Sequence, residues 1–393
     1  MTSSLGVTAR EVVARPGSKP RLLSVSVEEV TLGSAARTHV LELAAALRRQ
    51  GAFVEVAAPP DNGPVRRNIA LRLWRIAATM RRAAKQLSGH DILYLRAHPL
   101  LWPLARLAKA RGLQVIQEVN GREADIFVTH RWARPLASLL ISLQRAQYRD
   151  ATAIAAVTQG LVEWLRSLPG TSKQIGCVAN GVNIDLFSPG LPRHPDSPMT
   201  PYVIFFGGFH PWHGIETMLA AARHPVWPQG VKFVLVGDGP EASLVDAAAG
   251  AGAFPVSDRI IRFGHRDQQT LAGIISHAMV SLVIIENSHG KAETGLAPLK
   301  LFESLACGVP VIVSDQPGMG DLVRKAGCGL IVPERDPAAL AQAVAELAAD
   351  SARVAALGRA AREEALVRCS WDARALELLS MFDRNHRPTP TSF

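Results

Sequence analysis

Cysteine, aromatic residues and long apolar runs are all scarce in this chain, and each scarcity removes a class of protein. Four cysteines in 393 residues (Cys177, Cys307, Cys328, Cys369) lie far apart, without the short spacings of a zinc site or the density of a disulfide scaffold. That usage reads as a reduced, cytoplasmic chain. No run approaches the roughly 20 apolar residues of a membrane span, and Met1 to Pro20 lacks the apolar centre of a signal peptide. Those first twenty residues, with Pro16, Gly17 and Pro20, read as a flexible N-terminal tail, residues 1–20. No HExxH or DxD motif is present, so no metal is expected; no resident cofactor is expected either.

Acid is also missing locally. The chain carries a net charge of +9, yet from Asn62 to Asp150 there are 16 Lys and Arg against 5 Asp and Glu, a surplus larger than that of the whole chain. Something acidic faces this first half.

What is present is a soluble globular composition, 48% hydrophobic and 20% charged, long enough for two domains. Strand and helix patterns alternate throughout. Arg21–Val27 reads as a strand, a Gly33-Ser34 loop opens a helix from about Thr38 to Gln50, and Gly51 ends it before a second strand. Further strands are expected at Ile92–Leu95, Val115–Val119, Ala153–Val157 and Ile175–Val178. Pro189 to Pro201 is rich in Pro, Ser and Asp and reads as a linker, after which the alternation restarts at Val203–Phe206. The predicted fold is α/β, with two Rossmann-like doubly wound domains facing across a cleft. Their expected bounds are 21–195 and 196–365, with residues 366–393 as a C-terminal helix returning to the first domain, and a tail.

In such sheets ligands bind outside the carboxyl ends of the strands, so the loops there carry the chemistry. The stretch Lys291 to Asp315, KAETGLAPLKLFESLACGVPVIVSD, reads as loop, helix, turn, strand. Backbone N–H groups and a positive dipole end meet there, which suits a phosphate. Lys300 and Glu303 share one face of that helix, Lys300 suited to a diphosphate and Glu303 to a hydroxyl; the plain alternative is a surface helix with one ion pair. After Val203–Phe206, the loop Gly207-Gly208-Phe209-His210-Pro211-Trp212-His213-Gly214 allows close backbone approach and opens another helix. The Gly237-Asp238-Gly239-Pro240 loop lacks the third glycine of a dinucleotide fingerprint, which disfavours nicotinamide or flavin.

These stretches together carry a resemblance. Asn180-Gly181-Val182-Asn183, Phe206-Gly207 through His213-Gly214, Leu235-Val236-Gly237-Asp238-Gly239-Pro240, Phe263-Gly264 and Phe302-Glu303-Ser304-Leu305-Ala306-Cys307-Gly308 resemble, in order and spacing, the retaining two-domain glycosyltransferases of the GT-B fold, in family 4 or glycosyl transferases group 1. The first half matches more loosely, through Gly33, Thr38-His39-Val40 and the helix ending at Gly51. The resemblance implies a nucleotide-sugar donor on the C-terminal domain and a glycan or lipid-linked acceptor on the N-terminal one. It implies that Glu303 binds the donor ribose, that Gly295, Leu296 and Ala297 face diphosphate and sugar, that Gly207, Gly208 and His213 lie at the diphosphate, and that Gly264, His265 and Arg266 lie beside the base. Front-face transfer, with retention of configuration and no metal, follows from the same likeness.

The departures from that pattern are specific. Many relatives carry a glutamate eight positions before the ribose glutamate; here Gly295 stands there, and Glu293 is the nearest acid. Arg and Lys commonly flank the diphosphate where this chain has Gly208 and His213. Lys300 then becomes the replacement cation, with His213, if protonated, a second. These losses leave a competing reading, a catalytically silent nucleotide-sugar binder or partner subunit. A nucleotide-sugar epimerase or dehydrogenase is disfavoured, since Tyr94, Tyr148 and Tyr202 lack a Lys four residues on.

On the acceptor side, Gly33 lies in the loop after the first strand, Arg96 and His98 follow one strand, and Glu118 and Asn120 end the next. Each is either an acceptor contact or a loop cap. Between Arg66 and Leu87, Ile69, Leu73, Ile76, Met80 and Leu87 share a helical face expected to pack inward. Arg67, Leu71, Trp74, Arg75, Arg81, Arg82 and Lys85 lie opposite, in a stretch with no acid from Gly63 to His90. That pattern fits an anionic membrane surface, on the inner face of the cytoplasmic membrane; alternatively Trp74 packs under a neighbouring helix and the arginines are merely solvated. No nucleic-acid reader motif accompanies the charge.

Overall fold

The computed structural model describes residues 19–28, 35–59, 68–129, 131–171, 174–250, 259–286 and 293–382. The chain divides into two compact units, each built on one six-stranded sheet whose strand pairs are all parallel. In the first, β1 (Arg21–Val25), β2 (Phe53–Ala57), β3 (Ile92–Arg96), β4 (Gln114–Val119), β5 (Ala153–Ala156) and β6 (Ile175–Cys177) lie in the order β2-β1-β3-β4-β5-β6. Their crossovers contain α1 (Ala35–Arg49), α2 (Ile69–Gln86), α3 (Trp102–Ala110), the short α4 (Ile126–Thr129), α5 (Ala137–Asp150) and α6 (Gln159–Ser167). Near-continuous apolar strands such as Ile92–Leu95, buried on both faces, are what a parallel sheet covered by helices requires.

The second unit repeats the plan. Its sheet runs β12-β11-β10-β7-β8-β9, from β7 (Tyr202–Phe206), β8 (Lys232–Val236), β9 (Ile260–Phe263), β10 (Val280–Val283), β11 (Val311–Ser314) and β12 (Gly329–Val332). The helices are α7 (Ile215–Arg223), α8 (Ala242–Ala249), α9 (Gln268–Ile275), α10 (Leu299–Ala306), α11 (Met319–Ala326), α12 (Pro337–Ala349) and α13 (Ser351–Glu364); the division between units falls within the last helix, α14 (Trp371–Ser380). One face of this sheet buries Phe206, Val283, Phe302 and Leu305, and the other buries Phe205, Phe233, Leu282 and Leu340. In both sheets the strand order reverses beside the first strand, between β1 and β3 and between β7 and β10. Those two points are where doubly wound sheets leave a crevice for ligands.

The boundary differs from the sequence expectation. The second unit begins at Ala179, so Pro189–Pro201 lies inside it. The reason is packing: Phe187 is buried in the second core, and Val182 exchanges backbone bonds with Cys369 and Trp371 (2.8 and 3.2 Å). Arg362 donates to the carbonyls of Ile184, Phe187 and Ala306. Pro189, Pro192, Pro195 and Pro201 mark exposed chain there, not a change of domain, and Ser197 is buried. Residues from Ala375 group with the first unit, and the short segment Val157–Leu161 groups with the second.

Candidate functional site

In the second unit the loops after β7, β8 and β9 are laced in series. Gly207 N–H donates to Val236 O (2.9 Å), Gly237 N–H to Phe263 O (3.0 Å), and Phe209 N–H to Asp238 O (2.8 Å). A Cβ on Gly237 would lie 2.0 Å from Gly207 O, and one on Gly239 2.6 Å from Phe209 N, both residues having positive φ. The Gly-x-Gly pair is therefore a device for packing one loop on another. From β10, Glu286 N–H donates to Trp212 O (2.9 Å), and its carboxylate accepts from Thr217 Oγ1 (2.5 Å) and Arg335 Nε (3.2 Å). The rim of the β7/β10 crevice is thus rigid.

Lys300 enters that rim from the first turn of α10. Ser304 Oγ bridges the Lys300 carbonyl and Ser281 Oγ (2.7 and 2.8 Å), which fixes α10 on β10. Lys300 Nζ stands 4.2 Å from the centre of the Phe205 ring and 3.5 Å from where a Gly207 Cβ would be. It is 8% exposed and has no hydrogen-bond partner among the described residues. Burial pushes this amine down to about 7, against the pull of Glu303. Burial likewise pushes the partly buried Glu303 up to about 7, against the pull of Lys300. Among the described residues the two form no ion pair, so a cation and an acid stand side by side with their bonding capacity unspent.

His213 is not a second cation. Its Nδ1–H donates to Gly208 O; burial and the nearby Lys300 lower its pKa to about 2. His210 and Trp212 stack at 4.6 Å on the same loop, and a Cβ on Gly208 would strike the His210 ring. Gly264, the exposed His265 and Arg266, which lies over the Phe263 ring at 5.5 Å, follow β9, two strands from β7. Glu293 is exposed on the turn leading to Gly295; Lys291 lies outside the described residues.

The loop Gly295–Ala297 is held by residues to which sequence reading gave no such role. Thr158 Oγ1 donates to Thr294 O (2.5 Å), Asn180 Nδ2 to Ala297 O (2.7 Å), and Leu296 N–H to Pro317 O (3.0 Å). Thr158 and Asn180 stand 136 and 117 positions from their partners, so no local signal could have joined them.

In the first unit, Glu118 is a buried hub, 3% exposed. One oxygen meets His39 Nε2 (2.8 Å) and Tyr94 OH (2.5 Å), the other Arg96 NH1 and Asn120 Nδ2 (both 2.7 Å). Burial opposes its charge, but His39 and Arg96 beside it outweigh that and hold the carboxyl well below the usual range. Burial, with Glu118 behind it, pushes the Tyr94 phenol up. Arg96 Nε also reaches Glu28 (3.0 Å). A cavity of only about 10 Å³ touches His39, Tyr94, Arg96 and Glu118, the size of a water and not of a sugar. Glu118 therefore supports this edge rather than presenting a free carboxylate. His98 Nδ1 accepts from Leu100 N–H (3.3 Å), capping the turn after β3; Gly33 lies outside the described residues.

On α2 the inward stripe is Ile76, Thr79, Ala83 and, just beyond the helix, Leu87. Ile69 and Leu73, expected inside, are 44% and 46% exposed, and Leu71 and Trp74 are 38% and 65% exposed. The first two turns precede the buried stripe, so every large apolar residue on them faces outward. A shallow groove of about 470 Å³ runs past Trp74, Arg81, Arg82 and Lys85. Arg82 also bonds Ala58 O, Arg75 is partly buried, and Arg67 lies outside the described residues. Among the described residues no helix is long and apolar enough to cross a membrane.

With this geometry in place, comparison with known proteins is informative. The model described as Glycosyltransferase Family 4 matches residues 36–186, and that described as Glycosyl transferases group 1 matches residues 200–350. The GDP-mannose-dependent alpha-(1-6)-phosphatidylinositol monomannoside mannosyltransferase of Mycolicibacterium smegmatis is 27% identical over 90% of this chain and 93% of its own. An exopolysaccharide phosphotransferase of Streptomyces coelicolor is 29% identical over 78% of this chain, which spans only 31% of that protein. Sucrose-phosphate synthase from Thermosynechococcus elongatus superposes with a TM-score of 0.69 at 21% identity, over 93% of this chain and 98% of its own, a likeness of fold.

Proposed function

The chain belongs to the glycosyltransferases of group 1 and family 4, with the GT-B fold, and from that premise we propose that it moves a sugar from a nucleotide-sugar to a lipid-linked or glycan acceptor in surface polysaccharide or glycolipid synthesis. The observation that carries the donor side is the unpartnered ammonium of Lys300, buried at the carboxyl end of β7 beside the first turn of α10. A diphosphate there would find one cation and the orphan N–H groups of a helix start. Glu303, on the same helix face, suits the ribose hydroxyls.

In this reading the chemistry rests on leaving-group stabilisation. As the bond from the sugar to the diphosphate oxygen lengthens, negative charge grows on the phosphate, and the charged form of Lys300 stabilises it in a site with little water. The acceptor hydroxyl attacks from the face the leaving group departs, its proton passing to the departing phosphate, so configuration is retained. Neither a metal nor a cofactor takes part. The exposed apolar and basic groups on the first turns of α2 support a lipid-linked acceptor taken up at the inner face of the cytoplasmic membrane.

The test begins with binding of UDP, GDP and ADP, followed by slow hydrolysis of their sugar conjugates. Selective binding that is lost in Glu303→Ala and Lys300→Ala, with hydrolysis of one conjugate, is the expected result. Binding of none of the three by the wild-type protein would sink the donor assignment.

A further inference from the structure

We propose that Thr158 is a positioning residue for the donor, acting through the loop Thr294–Ala297; this rests on the donor site proposed above. Thr158 follows β5 and is 5% exposed. Its hydroxyl has one proton and two lone pairs. Leu161 N–H donates to the oxygen (3.2 Å) and thereby caps α6, while the proton goes to the Thr294 carbonyl.

The surroundings leave that carbonyl one place to be. A Cβ on Gly160 would come within 2.6 Å of Thr294 O, so only hydrogen fits there. Gly295 follows with φ +85°, and a Cβ on it would lie 3.4 Å from Thr158 Cβ and 3.3 Å from Pro317 O. A Cβ on Gly318, itself at φ +79°, would sit 3.2 Å from Leu296 O. Thr158, Gly160, Pro317 and Gly318 thus all crowd the loop, and Asn180 holds its exit at Ala297 O. Peptide planes are rigid, so fixing the Thr294 carbonyl fixes the orientation of the peptide that enters Gly295. Lys300, the second residue of α10, comes three residues after Ala297, so the same clamp sets where the cation starts.

The consequence is specific to one end of the donor. The clamped loop is assigned to diphosphate and sugar, whereas ribose and base are assigned to Glu303 and the β9 loop. Thr158→Val, which keeps the shape and removes the hydroxyl, is expected to weaken binding of the nucleotide-sugar about tenfold, the weight of one buried hydrogen bond. Binding of the matching nucleoside monophosphate is expected to change less than twofold. Thr158→Ser is expected to restore both, and Gly160→Ala to reproduce the loss.

The experiment is calorimetry with UDP-glucose, GDP-mannose and ADP-glucose against UMP, GMP and AMP, on wild type and the three variants. Hydrogen exchange of residues 293–298 on the unliganded proteins accompanies it. Faster exchange in Thr158→Val and Gly160→Ala, with the monophosphate-to-sugar ratio changed in the same two, supports the clamp. Equal losses for both ligand classes would make Thr158 merely structural, and an unchanged ratio with unchanged exchange would overturn the proposal. Wild type that bound none of the six would overturn the donor reading, and this one with it; unchanged ratios in a wild type that binds would overturn this one alone.

Discussion

Lys300 is an expensive residue. In the unfolded chain it is charged below about 10.5, while burial lowers it to about 7 in the fold. Folding therefore releases a proton between those values, so the penalty is full below pH 7 and fades as the pH rises toward 10.5. Lys300→Met is expected to raise Tm at pH 6 to 7, by roughly 2–4 °C per kcal/mol relieved, with a smaller gain at pH 9. The same variant should lose nucleotide binding, and a thermal scan beside a titration checks both. Glu303, raised to about 7, gives the binding profile its other limb. Nucleotide affinity is expected to peak near pH 7, falling above it as Lys300 loses its proton and below it as Glu303 gains one, by at most about tenfold per unit. Calorimetry from pH 5.5 to 9 would show a flat profile if neither group touched the ligand. Glu118 has the opposite sign. Its folded pKa is lowered, so its contribution is present above the ordinary carboxyl range and is lost as pH falls through the folded value. Glu118→Ala leaves His39, Tyr94, Arg96 and Asn120 without their common acceptor, and about 3–5 kcal/mol of stability is expected to go with it, measured by denaturant unfolding.

At the scale of the element, much of the fold could be read from periodicity alone. Ile92–Leu95 is expected and Ile92–Arg96 is found; Ala153–Val157 is expected and Ala153–Ala156 is found. Apolar runs bounded by Gly and Pro mark parallel strands because both sheet faces are covered. Val309, buried two residues before β11, donates its N–H to Ser304 O and closes α10. Periodicity cannot separate a helix-closing residue from a strand residue when both are buried. Lys300 and Glu303 were legible because charge in an apolar segment is conspicuous. Thr158, Asn180 and Glu286 were not, since their partners come from other strands' loops. The Gly237-Asp238-Gly239 loop looked like a fragment of a nucleotide fingerprint, whereas its glycines admit the backbone of the β7 loop. Gly237→Ala brings a strained φ of +142° and a 2.0 Å collision with Gly207 O. It is expected to cost more than the roughly 1–3 kcal/mol of φ strain alone and to weaken nucleotide binding by displacing Gly207. Gly230→Ala, which meets nothing within 4 Å, is the neutral control in the same thermal scan.

For the whole molecule the decisive property is the uneven charge. The basic surplus falls in one stretch of sequence, and within it the first turns of α2 place Ile69, Leu71, Leu73 and Trp74 outward while Arg81 and Lys85 are exposed about two and three turns beyond Trp74. A second exposed apolar pair, Leu136 and Leu139, lies at the start of α5 near Arg134. Isolated exposed leucines mean little, but a tryptophan among cations, in a stretch where acid is absent, combines the two forces that hold a protein on an anionic bilayer. Each cation near such a surface contributes about 1 kcal/mol at ordinary salt, so Arg81→Gln with Lys85→Gln should weaken vesicle partitioning about 30-fold. Trp74→Ala should weaken it through lost insertion, and that loss should persist at high salt, whereas the arginine and lysine contribution should be screened away. Co-sedimentation with vesicles containing anionic lipid, at low and high ionic strength, separates the two terms. Equal binding to neutral vesicles would remove the electrostatic part of this reading, and binding to neither would show that the groove faces something other than a membrane. The acceptor would then have to be sought among soluble glycans.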